Sequence, residues 1–170
     1  MLPDKVQKAL NDQVNAELYS AYLYLAMNAY FKSLGMDGFA NWMSQQAHEE
    51  TLHALKIYDF IHQRGGRVVL SQVKAPPVQW DSPLAVFEAT LKHEQKVSAL
   101  INDLVDLAQA ERDHATSIFL EWFVSEQVEE EESVGAVLDQ LKLLGDAKSG
   151  LFMVDRELAQ RQAPGASAAD

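Results

Sequence analysis

The sequence predicts an all-α protein: a four-helix bundle with a long crossover between helices two and three and a short fifth helix at the C-terminal end. Three observations carry that prediction. The 170 residues include only 8 Gly and 5 Pro against abundant Ala, Leu, Glu and Gln, the stronger helix formers. Most breakers gather at a few places, Gly35 to Gly38, Gly65-Gly66, Pro76-Pro77, Pro83 and Gly145, and leave long runs between them. Within those runs apolar residues recur at alternating spacings of three and four, the period of a helix that buries one face. No internal repeat divides the chain, so a single domain is expected over residues 1–162, large enough for a full hydrophobic core.

The first helix is read from Pro3 to Ser33. Proline suits a first helical turn, where its missing N–H is no loss. At ~1.5 Å per residue this helix would be about 45 Å long. Asp37 is the expected cap of the second helix, which runs to about Arg64 and stops at Gly65-Gly66. Residues 67–81 then form a connection too long for a tight turn, with Val68, Val69, Leu70, Val73 and Val78 as apolar anchors. Such a segment can return the chain along the bundle, so that helices two and three lie parallel. Ser82-Pro83 reads as a cap followed by a first turn, and the third helix extends to about Ala110. Asp113 is the expected cap of the fourth helix, which reaches about Leu144. Ser149 is the expected cap of the fifth, which ends near Gln160, and residues 163–170 read as a frayed tail.

Composition restricts the function. The chain has no cysteine, which removes disulfides and thiolate metal sites and leaves carboxylate, imidazole, amide and water ligands. A net charge of −11 argues against nucleic acid as a partner and suits attraction of cations. The N-terminus lacks a basic segment followed by an apolar run, and no stretch reads as a membrane span. A cytoplasmic protein with no membrane partner is therefore expected.

The chemistry lies along the helix seams. Helix one reads Leu10, Val14, Glu17, Ala21, Tyr24, Asn28. Helix two reads Phe39, Met43, Gln46, Glu50, His53, Ile57, Phe60. Helix three reads Phe87, Thr90, Glu94, Val97, Ile101. Helix four reads Leu120, Phe123, Gln127, Glu130, Val134, Val137. Each seam is broken near its middle by one acid: Glu17, Glu50, Glu94 or Glu130. One such acid usually means that a seam has been drawn one residue off, and one such histidine or tyrosine is usually plain core. Four acids at matching depth on four helices are another matter. Buried together they repel, each at a cost of several kcal/mol when unpaired. No Lys or Arg on the seams offsets them, and bound cations are the simplest remedy. Glu50 and His53, like Gln127 and Glu130, are three apart and share a helix face. Four carboxylates and one imidazole suit a pair of divalent first-row metals, iron or manganese better than zinc alone.

These residues carry a resemblance. Asn15-Ala16-Glu17-Leu18-Tyr19-Ser20-Ala21-Tyr22-Leu23-Tyr24, His48-Glu49-Glu50-Thr51-Leu52-His53-Ala54, His93-Glu94 and Trp122 through Glu130 resemble the corresponding strings of the bacterial non-haem ferritins, and the likeness covers nearly the whole chain. It implies a ferroxidase and iron-storage function with a di-iron centre. The equivalents of Glu17, Glu50 and His53 hold the first iron in that family. Those of Glu50, Glu94 and Glu130 hold the second, with Gln127 nearby, and Glu49, Glu126 and Glu129 match acids that hold a third. Tyr24 and Trp122 match aromatic residues beside the centre, candidate one-electron donors. The implied partners are iron ions and dioxygen or peroxide, and the implied assembly is a homo-oligomeric cage of 24 subunits.

The same resemblance separates related families. Bacterioferritins repeat Glu-x-x-His on the fourth helix and carry a haem-ligating Met in the second. Here the fourth helix has Gln127-x-x-Glu130 and position 52 is Leu, so no haem is expected. Rubrerythrins need a cysteine module. DNA-protecting mini-ferritins build their site between subunits and lack a fifth helix. The apolar face of that helix, Leu151, Phe152, Met153 and Leu158, is a candidate for contacts around fourfold axes. Glu111, Asp113 and Glu121 are candidates for an iron access pore. Two other readings compete: a di-iron oxygenase or radical-generating enzyme, and a bundle whose acids are purely structural.

Overall fold

A computed structural model describes residues 2–145 and 147–162. Five helices follow one another: α1 (Asp4–Ser33), α2 (Asp37–Gln63), α3 (Pro83–Ala110), α4 (His114–Leu144) and α5 (Lys148–Leu158). Helices α1 and α2 form one antiparallel pair, and α3 and α4 the other. The tail expected at 163–170 lies outside the described residues.

Local chemistry sets most of the boundaries. Ser82 Oγ accepts from the Ala85 amide at 3.1 Å, with Pro83 in the first turn of α3. Asp113 caps α4 by accepting from the Thr116 amide at 3.3 Å. Gly35 and Gly65 close α1 and α2 with φ of +70° and +71°, a left-handed geometry that glycine adopts without strain. Two expected caps are displaced. Asp37 is the first residue of α2, not its cap. Helix α5 starts before Ser149, with Ala147 at the cap position and no side-chain cap bond.

The start of α2 is satisfied from a distance. Asp155 of α5 accepts the Gly38 and Phe39 amides at 2.8 and 3.0 Å. The two helices touch there so closely that a Cβ on Gly38 would lie 1.5 Å from the Asp155 carbonyl oxygen. Val154 and Leu158 pack into the core of their own bundle, while Phe152 and Met153 remain exposed.

The connection over residues 67–81 contains no regular element and lies along α1. Gln7 and Asn11 accept the Arg67 and Val69 amides, and near the far end Tyr30 donates to the Trp80 carbonyl at 2.8 Å. The segment thus travels the length of α1 and returns the chain to the end where Phe31, Phe39 and Phe87 meet. Helices α2 and α3 consequently run parallel, as expected for a bundle with one long crossover.

The core is in two apolar halves. One contains Met27, Phe31, Phe39, Met43, Phe87, Val134 and Leu138. The other contains Val6, Leu10, Val14, Ile57, Ile61, Val97, Ile101, Leu120 and Phe123. On every long helix the seam acid falls between the two halves, so the bundle is interrupted by one polar layer. Among the described residues no helix is long and apolar enough to cross a membrane.

Candidate metal centre

The polar layer is built by helix periodicity. Glu17 comes one turn after Val14, Glu50 one turn after Gln46, Glu94 one turn after Thr90 and Glu130 one turn after Gln127. Each therefore points where its seam neighbours point. All four acids are buried, as are His53, Gln127 and Tyr24. Buried carboxylates ordinarily collect hydrogen bonds. Here Glu17 Oε2 and both oxygens of Glu50 have none among the described residues. Glu17 receives one bond, from Gln13 Nε2 at 2.8 Å.

Among the described residues two groups of side chains converge closely enough to hold a metal ion: Glu17, Glu50 and His53, and His53, Glu126 and Glu130. His53 Nδ1 is 3.4 Å from Glu50 Oε2, and its Nε2 is 3.8 Å from Glu126 Oε1. Glu94 faces the layer from α3. It accepts from the Tyr24 hydroxyl and from Gln127 Nε2 at 3.2 Å. Glu130 Oε2 accepts from Gln46 Nε2 at 2.7 Å. The donor set is oxygen-rich with one imidazole, and its orphaned oxygens face one another. Divalent iron or manganese fits both properties.

Protonation follows from burial. Glu50 is pushed well above the usual carboxylate range by desolvation, then by the charges of Glu94, Glu17 and Glu130. Glu17 is raised, mainly by desolvation. Glu94 is pushed up to about 8 by desolvation and the charge of Glu130. Desolvation and neighbouring carboxylates also raise the Tyr24 phenol well above its ordinary range, so it stays protonated and donates. A cation in the layer reverses the repulsion among the acids.

The acids expected at a third iron, Glu49, Glu126 and Glu129, are distributed differently. Glu126 joins His53 and Glu130, Glu129 is exposed, and Glu49 pairs with Arg161 at 2.6 Å. Trp122 lies edge-on to His53, 5.4 Å between ring centroids, with Lys56 Nζ 3.5 Å from its ring centre. Two of the three candidate pore acids are paired. Asp113 is buried and bonded to Arg64 at 2.9 Å, Glu111 pairs with Lys5 at 2.7 Å, and Glu121 is exposed. Next to Glu130, Glu131 accepts from Ser98 at 2.6 Å and Glu132 is exposed.

Three residues around the layer have roles that the sequence reading did not assign, Gln46 among them although it lies on the seam. Gln13 and Gln46 each bond a seam acid, and Gln13 was legible as the i−4 neighbour of Glu17. Arg161 gave no signal, because it reaches Glu49 across 112 residues of chain.

A ferritin-like domain model matches residues 7–144. The bacterial non-heme ferritin of Bacteroides fragilis (strain 638R) is 45% identical over 161 residues, 95% of this chain and 100% of its own length. Its counterpart in Staphylococcus epidermidis is 42% identical, covering 95% of this chain and 97% of that one. An open-pore ferritin from the hyperthermophilic archaeon Archaeoglobus fulgidus superposes with a TM-score of 0.95 at 51% identity, covering 95% of this chain and all of the other. With four buried acids and a histidine between the helices of such a bundle, the chain belongs to the ferritin family, the iron-storage proteins.

Proposed function

We propose that the chain is a ferroxidase that oxidises Fe(II) in the polar layer and passes the product to a ferric oxyhydroxide mineral inside a protein cage. The observation that carries this reading is the set of buried, unpartnered oxygens on Glu17 and Glu50 beside His53. The ligand set is Glu17, Glu50 and His53 for one iron and Glu50, Glu94 and Glu130 for the second, with Gln127 adjoining. Iron here is substrate. Two Fe(II) each lose one electron to become Fe(III). The electron pair and two protons convert dioxygen to hydrogen peroxide, or peroxide to two waters. Holding two reductants side by side lets a single oxidant take both electrons.

The protein's own groups supply the rest. Carboxylates favour the harder ferric ion once it forms. Tyr24 holds Glu94 in place and is positioned as a one-electron donor, with Trp122 beside His53 as a second. Fe(III) leaves toward Glu49, Glu126 and Glu129, hydrolyses and joins the mineral. The relatives described as ferritins support a homo-oligomeric cage, for which 24 subunits is our reading, in the cytoplasm and without haem.

Aerobic loading of purified apo-protein with Fe(II), then gel filtration with iron and protein assayed together, tests the proposal. A large assembly carrying far more iron than its carboxylates can ligate is expected. Iron that stops near about two ions per chain would favour a di-iron enzyme instead. In parallel, E50A and H53A should abolish rapid oxidation, and a wild-type rate in either would displace the assigned centre.

A further inference from the structure

Arg161 follows α5 and is held in place by three kinds of contact. Its guanidinium lies over the Trp42 ring, 4.4 Å from the centroid. One of its nitrogens meets Glu49 Oε2 at 2.6 Å and also donates to Gln46 Oε1. Asn41 ties down the backbone at this point, donating to the Leu158 and Arg161 carbonyls at 3.1 and 3.0 Å. Ion pair and stacking together fit arginine's planar, permanently charged head, which lysine cannot reproduce.

Both acceptors lead to the polar layer. Glu49 directly precedes Glu50 in the sequence. Gln46 uses its oxygen for Arg161 and its nitrogen for Glu130 Oε2, 2.7 Å away. An amide has one acceptor end and one donor end. Arg161 therefore fixes which end of Gln46 faces Glu130. It also brings a fixed positive charge to Glu49, the place where a departing metal ion would need a free carboxylate.

We propose that Arg161 competes with metal cations for Glu49 and orients Glu130 through Gln46, so that the docking of α5 on α2 controls occupancy of the acids beside the di-metal layer. This rests on the reading of Glu49, Glu126 and Glu129 as an iron station. Arg161 is a positioning residue that touches no reacting atom. An ion moving out of the layer must displace its guanidinium from Glu49, and the guanidinium returns when the ion has left.

The test is anaerobic titration of the assembled apo-protein with Zn(II), which cannot be oxidised, followed by calorimetry. Wild type, R161Q, E49Q and the double variant E49Q/R161Q are compared. Two tight ions per chain are expected in all four. In R161Q a further ion should bind at least about tenfold tighter than in wild type, and adding E49Q should remove that gain, a coupling the cycle isolates. Equal affinity for the further ion in wild type and R161Q, or a gain that survives E49Q, would overturn the proposal. So would an R161Q that loses only thermal stability, the result expected of a purely structural tether. Should R161Q fail to assemble, R161K serves in its place, with the same sign and a smaller gain. Loss of the first two ions from wild type itself would instead refute the di-metal reading.

Discussion

Tyr24 on α1 donates its phenolic hydrogen to Glu94 on α3, across the polar layer of the bundle. The bond links a candidate electron donor to a candidate ligand, and the raised phenol keeps it intact at neutral pH. Y24F removes the hydroxyl and leaves the ring. Partners of metal ligands commonly matter by about 10–100-fold, so Fe(II) oxidation followed by stopped-flow absorbance should slow by that order. Freeze-quenched wild type should also give a tyrosyl paramagnetic signal that Y24F lacks. An unchanged rate together with an unchanged spectrum would return Tyr24 to the plain core.

The buried acids give the apo-protein a particular pH dependence. Glu17, Glu50 and Glu94 bind protons more tightly folded than unfolded, Glu94 up to about 8. Their contribution is greatest below the unfolded carboxylate range near 4.5 and is lost as pH rises through the folded values. His93 acts oppositely, lowered to about 4 mainly by burial, and costs stability only as pH falls below about 6.5. Above about pH 6.5 these acids act with Glu49, which burial raises to about 7 against the charge of Arg161. The melting temperature of metal-free protein should fall between about pH 6.5 and 8.5, and saturating Zn(II), which replaces the protons, should flatten or reverse the trend. A flat apo profile would contradict the burial of the cluster.

Much of this was legible because helix periodicity maps sequence onto space. Glu17, Glu50, Glu94 and Glu130 could be aligned by seam, and each proves buried between the two apolar halves. Ser82 and Asp113 announced α3 and α4 because their caps are local. What the sequence does not reveal has the converse cause. Asp37 reads as a cap, yet the start of α2 is satisfied by Asp155, more than a hundred residues away. Asp113 and Glu111 are likewise paired from far along the chain, with Arg64 and Lys5. Long-range pairing of this kind leaves no periodic trace.

Asp113 should then behave as a structural residue. Its carboxylate accepts from the Thr116 amide and, at 2.7 Å, the Thr116 hydroxyl, and it meets Arg64 at 2.9 Å. Burial opposes its ionisation, but the bonds from Thr116 and Arg64 outweigh that and hold the carboxyl below its ordinary value. Loss of an N-cap costs about 1 kcal/mol, so D113A should lower the melting temperature by about 2–4 °C for a chain of this size. The rate of Fe(II) oxidation at limiting iron should not change. A slowed rate with intact stability would restore Asp113 to an iron access path.

Two glycines should respond oppositely to the same substitution. Gly135 lies inside α4, and a Cβ there meets nothing within 4 Å. Alanine restricts the unfolded chain and favours the helix, so G135A should stabilise by about 0.5–1 kcal/mol. At Gly38 the added Cβ would lie 1.5 Å from the Asp155 carbonyl oxygen, and backbone cannot move aside as a flexible side chain can. In G38A α5 must lift from α2, breaking the Asp155 bonds to the Gly38 and Phe39 amides and withdrawing Arg161 from Glu49. Hydrogen exchange should show faster exchange in α5 amides while α1 and α3 keep their protection. If α5 exchanges as slowly in G38A as in wild type, the close contact between these helices does not hold α5 in place.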